Sequence, residues 1–150
     1  MIALKILGSI VTVFAFMQFG LTKSSNYAKK RDVLQKICIA LENLSIEIRL
    51  KRGELYILFE KLFCNEYISF SDRRFVISEK YIDKVQIDKL NELSLALGKS
   101  DAKGECEIIG LYQSIFADYL TEAEKEYKTN LKIWNTLSLG GGLTVVLLLI

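Results

Sequence analysis

No charged side chain occurs in residues 6–22, and none occurs in residues 133–150. Two such stretches, one near each end of a chain of 150 residues, constrain the fold more than any other feature of the sequence. A helix rises about 1.5 Å per residue, so each stretch reaches the lower end of the roughly 17–25 residues that cross a hydrocarbon core. Lys5, Lys23 and Lys132 flank them and can extend their charges to the membrane interface. The first stretch differs from a cleaved secretory signal, because only Lys5 precedes it and FAFMQFGLTKSS offers no A-x-A-like site. The second, closing on VVLLLI, has no polar face and so differs from an amphipathic core helix. Both therefore read as transmembrane helices, over residues 1–23 and 133–150. They flank a middle domain over residues 24–132, where most of the charge lies.

The placement of Lys and Arg sets an orientation. Lys23, Lys29, Lys30 and Arg31 follow the first stretch, and Lys125, Lys128 and Lys132 precede the second. The far sides carry only Lys5. By the positive-inside rule the middle domain is cytoplasmic and both termini lie across the membrane. Lys23, Lys29, Lys30, Arg31 and Lys132 thus read as topology signals that also meet anionic headgroups. A net charge of +2 gives no case for nucleic-acid binding.

The middle domain reads as all-α. The chain has no proline, so the commonest helix breaker is absent. In VLQKICIALENLSIEIRL, Leu34, Ile37, Leu41, Leu44 and Ile48 recur every three or four residues and form one apolar face. Cys38 sits beside that face and reads as a small core residue. The same helix can run continuously out of the first anchor, with Gly53 marking its end. ELYILFEKLFC follows, with Leu55, Leu58, Phe59 and Leu62 as its buried side. In NEYISFSDRRFVISEK, YISF and RFVIS alternate as strand fragments do. No N-G or D-G turn joins them, which favours a short helix or an ordered loop. A third helix carries Leu90, Leu93 and Leu97 and closes at Gly98, and Ser100 or Asp101 then caps the last helix. Along that helix Ile108, Tyr112, Ile115, Tyr119, Ala123, Tyr127, Leu131 and Trp134 step by three or four to the second anchor. The fold class is a small antiparallel helical bundle flanked by N-terminal and C-terminal transmembrane helices.

Little in the chain points to catalysis. There is no histidine, hence no Ser-His or Cys-His system and no commonest metal ligand. Neither G-x-x-x-x-G-K-[ST] nor G-x-G-x-x-G occurs. Glu122, Glu124 and Glu126 point to different sides of a helix, and Glu105 and Glu107 read as a solvated face. The three cysteines form no C-x-x-C pair. No catalytic, cofactor or metal site is expected. Contact surfaces remain. Thr136, Gly140 and Thr144 fall at i, i+4 and i+8 in the second anchor, where Gly142 adds a further small residue; Gly8 and Thr12 repeat the spacing in the first. Small residues so spaced let helix backbones approach closely, so these positions are expected to pack against another membrane helix. The turn at Gly98, Ser100 and Asp101 is a candidate docking loop, although capping alone explains its residue types.

Three stretches carry a resemblance: LKILGSI near the start, LGKSD at the turn, and the closing WNTLSLGGGLTVVLLL. In order and spacing they resemble the stage III sporulation protein AB family of endospore-forming bacteria. Two positions depart from the family pattern: Glu105 stands where a glutamine is common, and LKRGEL lacks a proline after the first long helix. The resemblance implies a place in the mother-cell machinery that connects to the forespore, in the membrane around the forespore. It implies a soluble part similar to F-type platform domains of type II secretion. The implied partners are a secretion-type ATPase, stage III sporulation protein AA, and other membrane proteins of the complex, with a homo-oligomer as a possible assembly. The chain would then be a non-catalytic platform that couples the ATPase to a channel-like complex. The alternatives are a membrane-anchored adaptor unrelated to sporulation and a histidine-free membrane hydrolase.

Overall fold

An unbroken run of residues compatible with helix, from the chain start to the charged segment before Gly53, gives one long element. In the computed structural model, α1 spans Ile2–Lys51 as a single α-helix. The structure describes residues 2–51 and 54–149, with side chains throughout residues 25–50 and 54–137 and at individual positions beyond them. Four further elements follow before the last helix: α2 (Leu55–Phe63), β1 (Ile68–Ser71), β2 (Arg74–Ile77) and α3 (Lys84–Ala96). The last helix, α4, spans Ala102–Leu149. The chain divides into two compact units, one of Met1–Lys29 with Ala123–Ile150 and one of Lys30–Glu122. The central unit is shorter than the expected residues 24–132, and the two terminal stretches share a unit.

In the unit Lys30–Glu122 the periodic face of α1 is the core. Leu34, Ile37, Leu41 and Leu44 are fully buried and Ile48 nearly so, with Val33 and Ala40 beside them. Burying each large aliphatic side chain contributes about 1.5–3 kcal/mol. Cys106 Sγ lies 3.7 Å from Ser45 O, and Cys38, Glu42, Gln113 and Ala117 line one small cavity. Residue numbers rise along one helix as they fall along the other, so α1 and α4 pack antiparallel here. On α4 the buried positions of this unit are Glu105, Ile109 and Phe116. The expected stripe through Ile108, Tyr112, Ile115 and Tyr119 is only half-buried, so the inward face is rotated by about one residue. On α2 the buried side chains are Leu58, Phe59 and Phe63, whereas Leu55 and Leu62 are half-buried.

Residues 68–77 correct the expectation of a helix or loop. They form an antiparallel hairpin with Ile68 opposite Ile77 and Ser71 opposite Arg74. Ile68, Phe70, Phe75 and Ile77 point inward and the intervening residues outward. The two turn residues both take left-handed backbone, Asp72 at φ 51° and Arg73 at φ 60°. That is the two-residue turn whose twist matches the flanking strands, built here without glycine. β1 packs on α2 and β2 on α3. The rings of Phe59, Phe63, Phe70 and Phe75 make the centre, with Phe70 and Phe75 centroids 4.7 Å apart.

Lys30, expected to signal topology, pairs with Asp83 at 3.1 Å, and Arg31 pairs with Asp32 at 2.7 Å. Asp83 stands at the N-cap of α3, where its N–H donates to Gln86 Oε1 at 3.2 Å. Lys29 is half-buried and Lys132 exposed, while Lys23 lies outside the described side chains.

The terminal unit bears on two expectations. Among the described residues no helix is long and apolar enough to cross a membrane. The described residues thus give no support of their own to the two transmembrane helices expected at residues 1–23 and 133–150. α4 is continuous through Gly140, Gly141 and Gly142, so the glycines do not break it. Among the described residues, a Cβ built at Gly140 or Gly141 would meet nothing within 4 Å, so there is room there for a close helix approach. Thr136 and Thr144 are exposed, and their hydroxyls donate to Lys132 O and Gly140 O at 2.9 and 2.8 Å. Thr12 and Gly142 lie outside the described side chains.

Candidate functional site

The turn between α3 and α4 is built by three residue types with distinct tasks. Leu97 ends α3, its N–H donating to Leu93 O at 3.1 Å. Gly98 follows at φ +87°, a conformation that side chains with a Cβ adopt at a cost. Asp101 caps α4: its Oδ1 accepts the Gly104 N–H at 3.0 Å, and its carbonyl accepts the Glu105 N–H at 2.9 Å. Ser100 is exposed and takes no part in that cap, so of the two expected capping residues Asp101 does the work. Gly98, Ser100 and Asp101 are all solvent-exposed.

Glu105 corrects the reading of a solvated face. It is 8 % exposed, and its Oε1 accepts the Gly98 N–H at 2.8 Å, while Glu107 stays exposed. A carboxylate accepting a backbone N–H makes a stronger bond than a neutral pair. It also sits in the first turn of α4, where the helix dipole favours a negative charge. The turn is therefore closed from both sides, by Asp101 onto α4 and by Glu105 back onto Gly98. Replacing Glu105 by leucine should strand the Gly98 N–H and cost about 1–3 kcal/mol. Glu105→Gln retains an acceptor and should cost less than half as much in thermal unfolding followed by circular dichroism. Equal losses in the two variants would show that the bond to Gly98 is not what Glu105 contributes.

A cavity of about 420 Å³ opens beside this turn. Leu55, Phe59, Phe70 and Leu97 supply apolar walls, and Arg73, Ser94, Gly98 and Lys99 supply polar ones. The hairpin turn is tied to α3 at this wall. Ser94 Oγ lies 2.9 Å from Arg73 O and 2.8 Å from Asn91 O, its one hydrogen serving either, and Asn91 Oδ1 accepts the Phe75 N–H at 2.7 Å. Sequence reasoning placed Gly98 here but missed the hairpin that brings Arg73 to the same cavity.

The described residues hold no cluster of three or more His, Cys, Asp or Glu that could bind a metal. The three cysteines are free and half-buried, and burial pushes the Cys38 thiol up from its ordinary pKa. Burial and the neighbouring Glu92 likewise raise the Tyr112 hydroxyl from its ordinary pKa.

The family model for stage III sporulation protein AB matches residues 74–150, from β2 through the turn to the end of α4. The chain belongs to the stage III sporulation protein AB family. The match includes the LGKSD turn and the closing glycine-rich stretch, while LKILGSI lies outside it. Neither a curated protein nor a solved structure matches the chain. Membership of the stage III sporulation protein AB family gives the chain a role in sporulation.

Proposed function

We propose that this member of the family is a non-catalytic, membrane-held platform of the mother-cell complex that connects to the forespore. Its central unit Lys30–Glu122 faces the mother-cell cytoplasm and couples a secretion-type ATPase, stage III sporulation protein AA, to membrane components of a channel-like complex. The observation that carries the membrane reading is the apolar exterior of the terminal unit. Ile10, Val11, Phe14, Ile133, Leu137 and Leu139 are exposed, Leu139 by 71 %. An outward apolar surface of this kind marks a partner or a lipid environment. Residues 6–22 and 133–150 carry no charge, which favours lipid and two anchoring helices. Thr136, Gly140 and Thr144 face outward and so offer their small-residue stripe to a helix of another chain. The turn at Gly98, Ser100 and Asp101 is exposed on the central unit and is the proposed ATPase contact.

A strain lacking the chain should form no heat-resistant spores, and the full chain extracted from its membrane in mild detergent should co-purify with the ATPase. Normal spore yield in the deletion strain would end the platform reading. Recovery of the full chain without the ATPase would end the coupling claim and leave the anchor claim to membrane fractionation, where release of the chain by alkaline carbonate would overturn it.

A further inference from the structure

The 420 Å³ cavity has an electrostatic character that the turn alone does not explain. Two cations line it, Arg73 and Lys99, and no carboxylate does. Neither cation makes an ion pair with a described residue. Behind them the wall is apolar, formed by Leu55, Phe59, Phe70 and Leu97. Tyr56 and Leu95 continue that wall to the surface, where both are exposed. A small hollow with an apolar floor and unpaired charges of one sign at its edge fits a ligand that brings an apolar group flanked by the opposite charge.

The backbone at Arg73 points the same way. Left-handed geometry costs a residue with a Cβ about 1–2 kcal/mol, and hairpin turns of this type usually place glycine at the second position. Arginine at φ 60° is held there by Ser94 and Asn91 on α3. Strain kept at a residue that lines a cavity, with its side chain unpaired, is characteristic of a position kept for binding.

We infer that this cavity receives an acidic segment of a partner protein, with one aromatic or aliphatic side chain seated against Phe59 and Phe70 and flanking carboxylates paired with Arg73 and Lys99. An anionic lipid headgroup would meet the two cations but would leave the apolar floor unfilled. The inference deepens the platform reading, since it states what a docking partner would present, and it is tested without the ATPase, so either can fail alone.

The probe is a fluorescein-labelled peptide of sequence EDEFLEDE, titrated against the full chain in neutral detergent and read by fluorescence anisotropy. Saturable binding is expected. The peptide EDESSEDE should bind about ten-fold more weakly, as should EDEFLEDE to the double variant Arg73→Asn/Lys99→Gln. Asparagine tolerates left-handed backbone, so this variant leaves the turn intact, and an unchanged circular dichroism melt would verify it. Lys80→Gln, an exposed cation that does not line the cavity, should bind as the parent does. No binding by the parent at about 1 mM peptide, the weak end of useful affinity, would overturn the inference. So would equal binding by the double variant, or equal binding of EDESSEDE. Capture of phosphatidylglycerol vesicles that depends on Arg73 and Lys99 and is unaffected by EDEFLEDE would assign the cavity to lipid instead.

Discussion

Phe63→Ala should be the most damaging single truncation in the central unit, at about 3–5 kcal/mol. Phe63 has no exposed surface and ends α2 at the centre of the aromatic cluster, its ring 5.0 Å from that of Phe75 and 5.8 Å from that of Phe59. The loss has two parts. The ring's own transfer free energy goes, and a cavity remains, because Phe59 and Phe75 are held by a helix and a hairpin that cannot both collapse into it. Domains of this size are stable by about 5–15 kcal/mol, so roughly a fifth or more of the margin is at stake. Thermal unfolding of the full chain followed by circular dichroism should show a large drop in the midpoint for Phe63→Ala. Phe63→Leu, which retains most of the apolar volume, should show a clearly smaller one. The comparison variant is Lys61→Ala, on the same helix but 63 % exposed in a weak pair with Glu47. A Phe63→Ala midpoint no lower than that of Lys61→Ala would remove the aromatic cluster from its place as the core.

Phe63 also shows where sequence reasoning stops. The helical spacing in ELYILFEKLFC is satisfied by Leu55, Leu58, Phe59 and Leu62, and nearly as well by Leu58, Phe59 and Phe63. Which set turns inward depends on what packs against the helix, here the hairpin at residues 68–77. That hairpin was itself hidden by its turn. The alternation in YISF and RFVIS is genuine, but Asp72 and Arg73 replace the usual glycine, and their left-handed backbone is held by α3 from outside the hairpin. Local propensity cannot register a turn held in place by a distant hydroxyl and amide. In α1, by contrast, Leu34, Ile37, Leu41, Leu44 and Ile48 are all buried as spaced, because a long amphipathic helix without proline leaves a single apolar face to bury.

The same contrast runs through the candidate site. Gly98 and Asp101 are readable because backbone geometry dictates their residue types. Glu105 is not, since a buried carboxylate and a solvated one look alike until the partner N–H is known. In α4 the tyrosines at 112 and 119 drew the stripe one residue away from Ile109 and Phe116, because a half-buried tyrosine ring satisfies an apolar period without being fully buried. Small residues raise a different point: Gly8 and Gly140 have the spacing of a packing surface, and spacing states only that an approach is sterically open, without naming what makes it.

Gly98→Ala should be the second costly change, at about 2–4 kcal/mol, although it adds a single methyl group. Three effects act together at that atom. At φ +87° an L side chain is strained in any surroundings. The new Cβ would lie 3.2 Å from Leu55 Cδ1, so the leucine side chain on the cavity wall must give by a few tenths of an ångström. Any shift of the backbone that relieves these contacts lengthens the 2.8 Å bond from the Gly98 N–H to Glu105, and a buried carboxylate then loses its partner. The third effect makes the prediction specific. If relief comes at the expense of that bond, Glu105→Leu should cost markedly less in the Gly98→Ala background than alone, a coupling of about 1 kcal/mol in a double-mutant cycle. Additive losses would mean that the bond survives and the cost lies in backbone strain and the Leu55 contact alone. A Gly98→Ala midpoint within about 2 °C of the parent, well below the shift a single kcal/mol produces, would show that the turn between α3 and α4 does not depend on glycine's freedom.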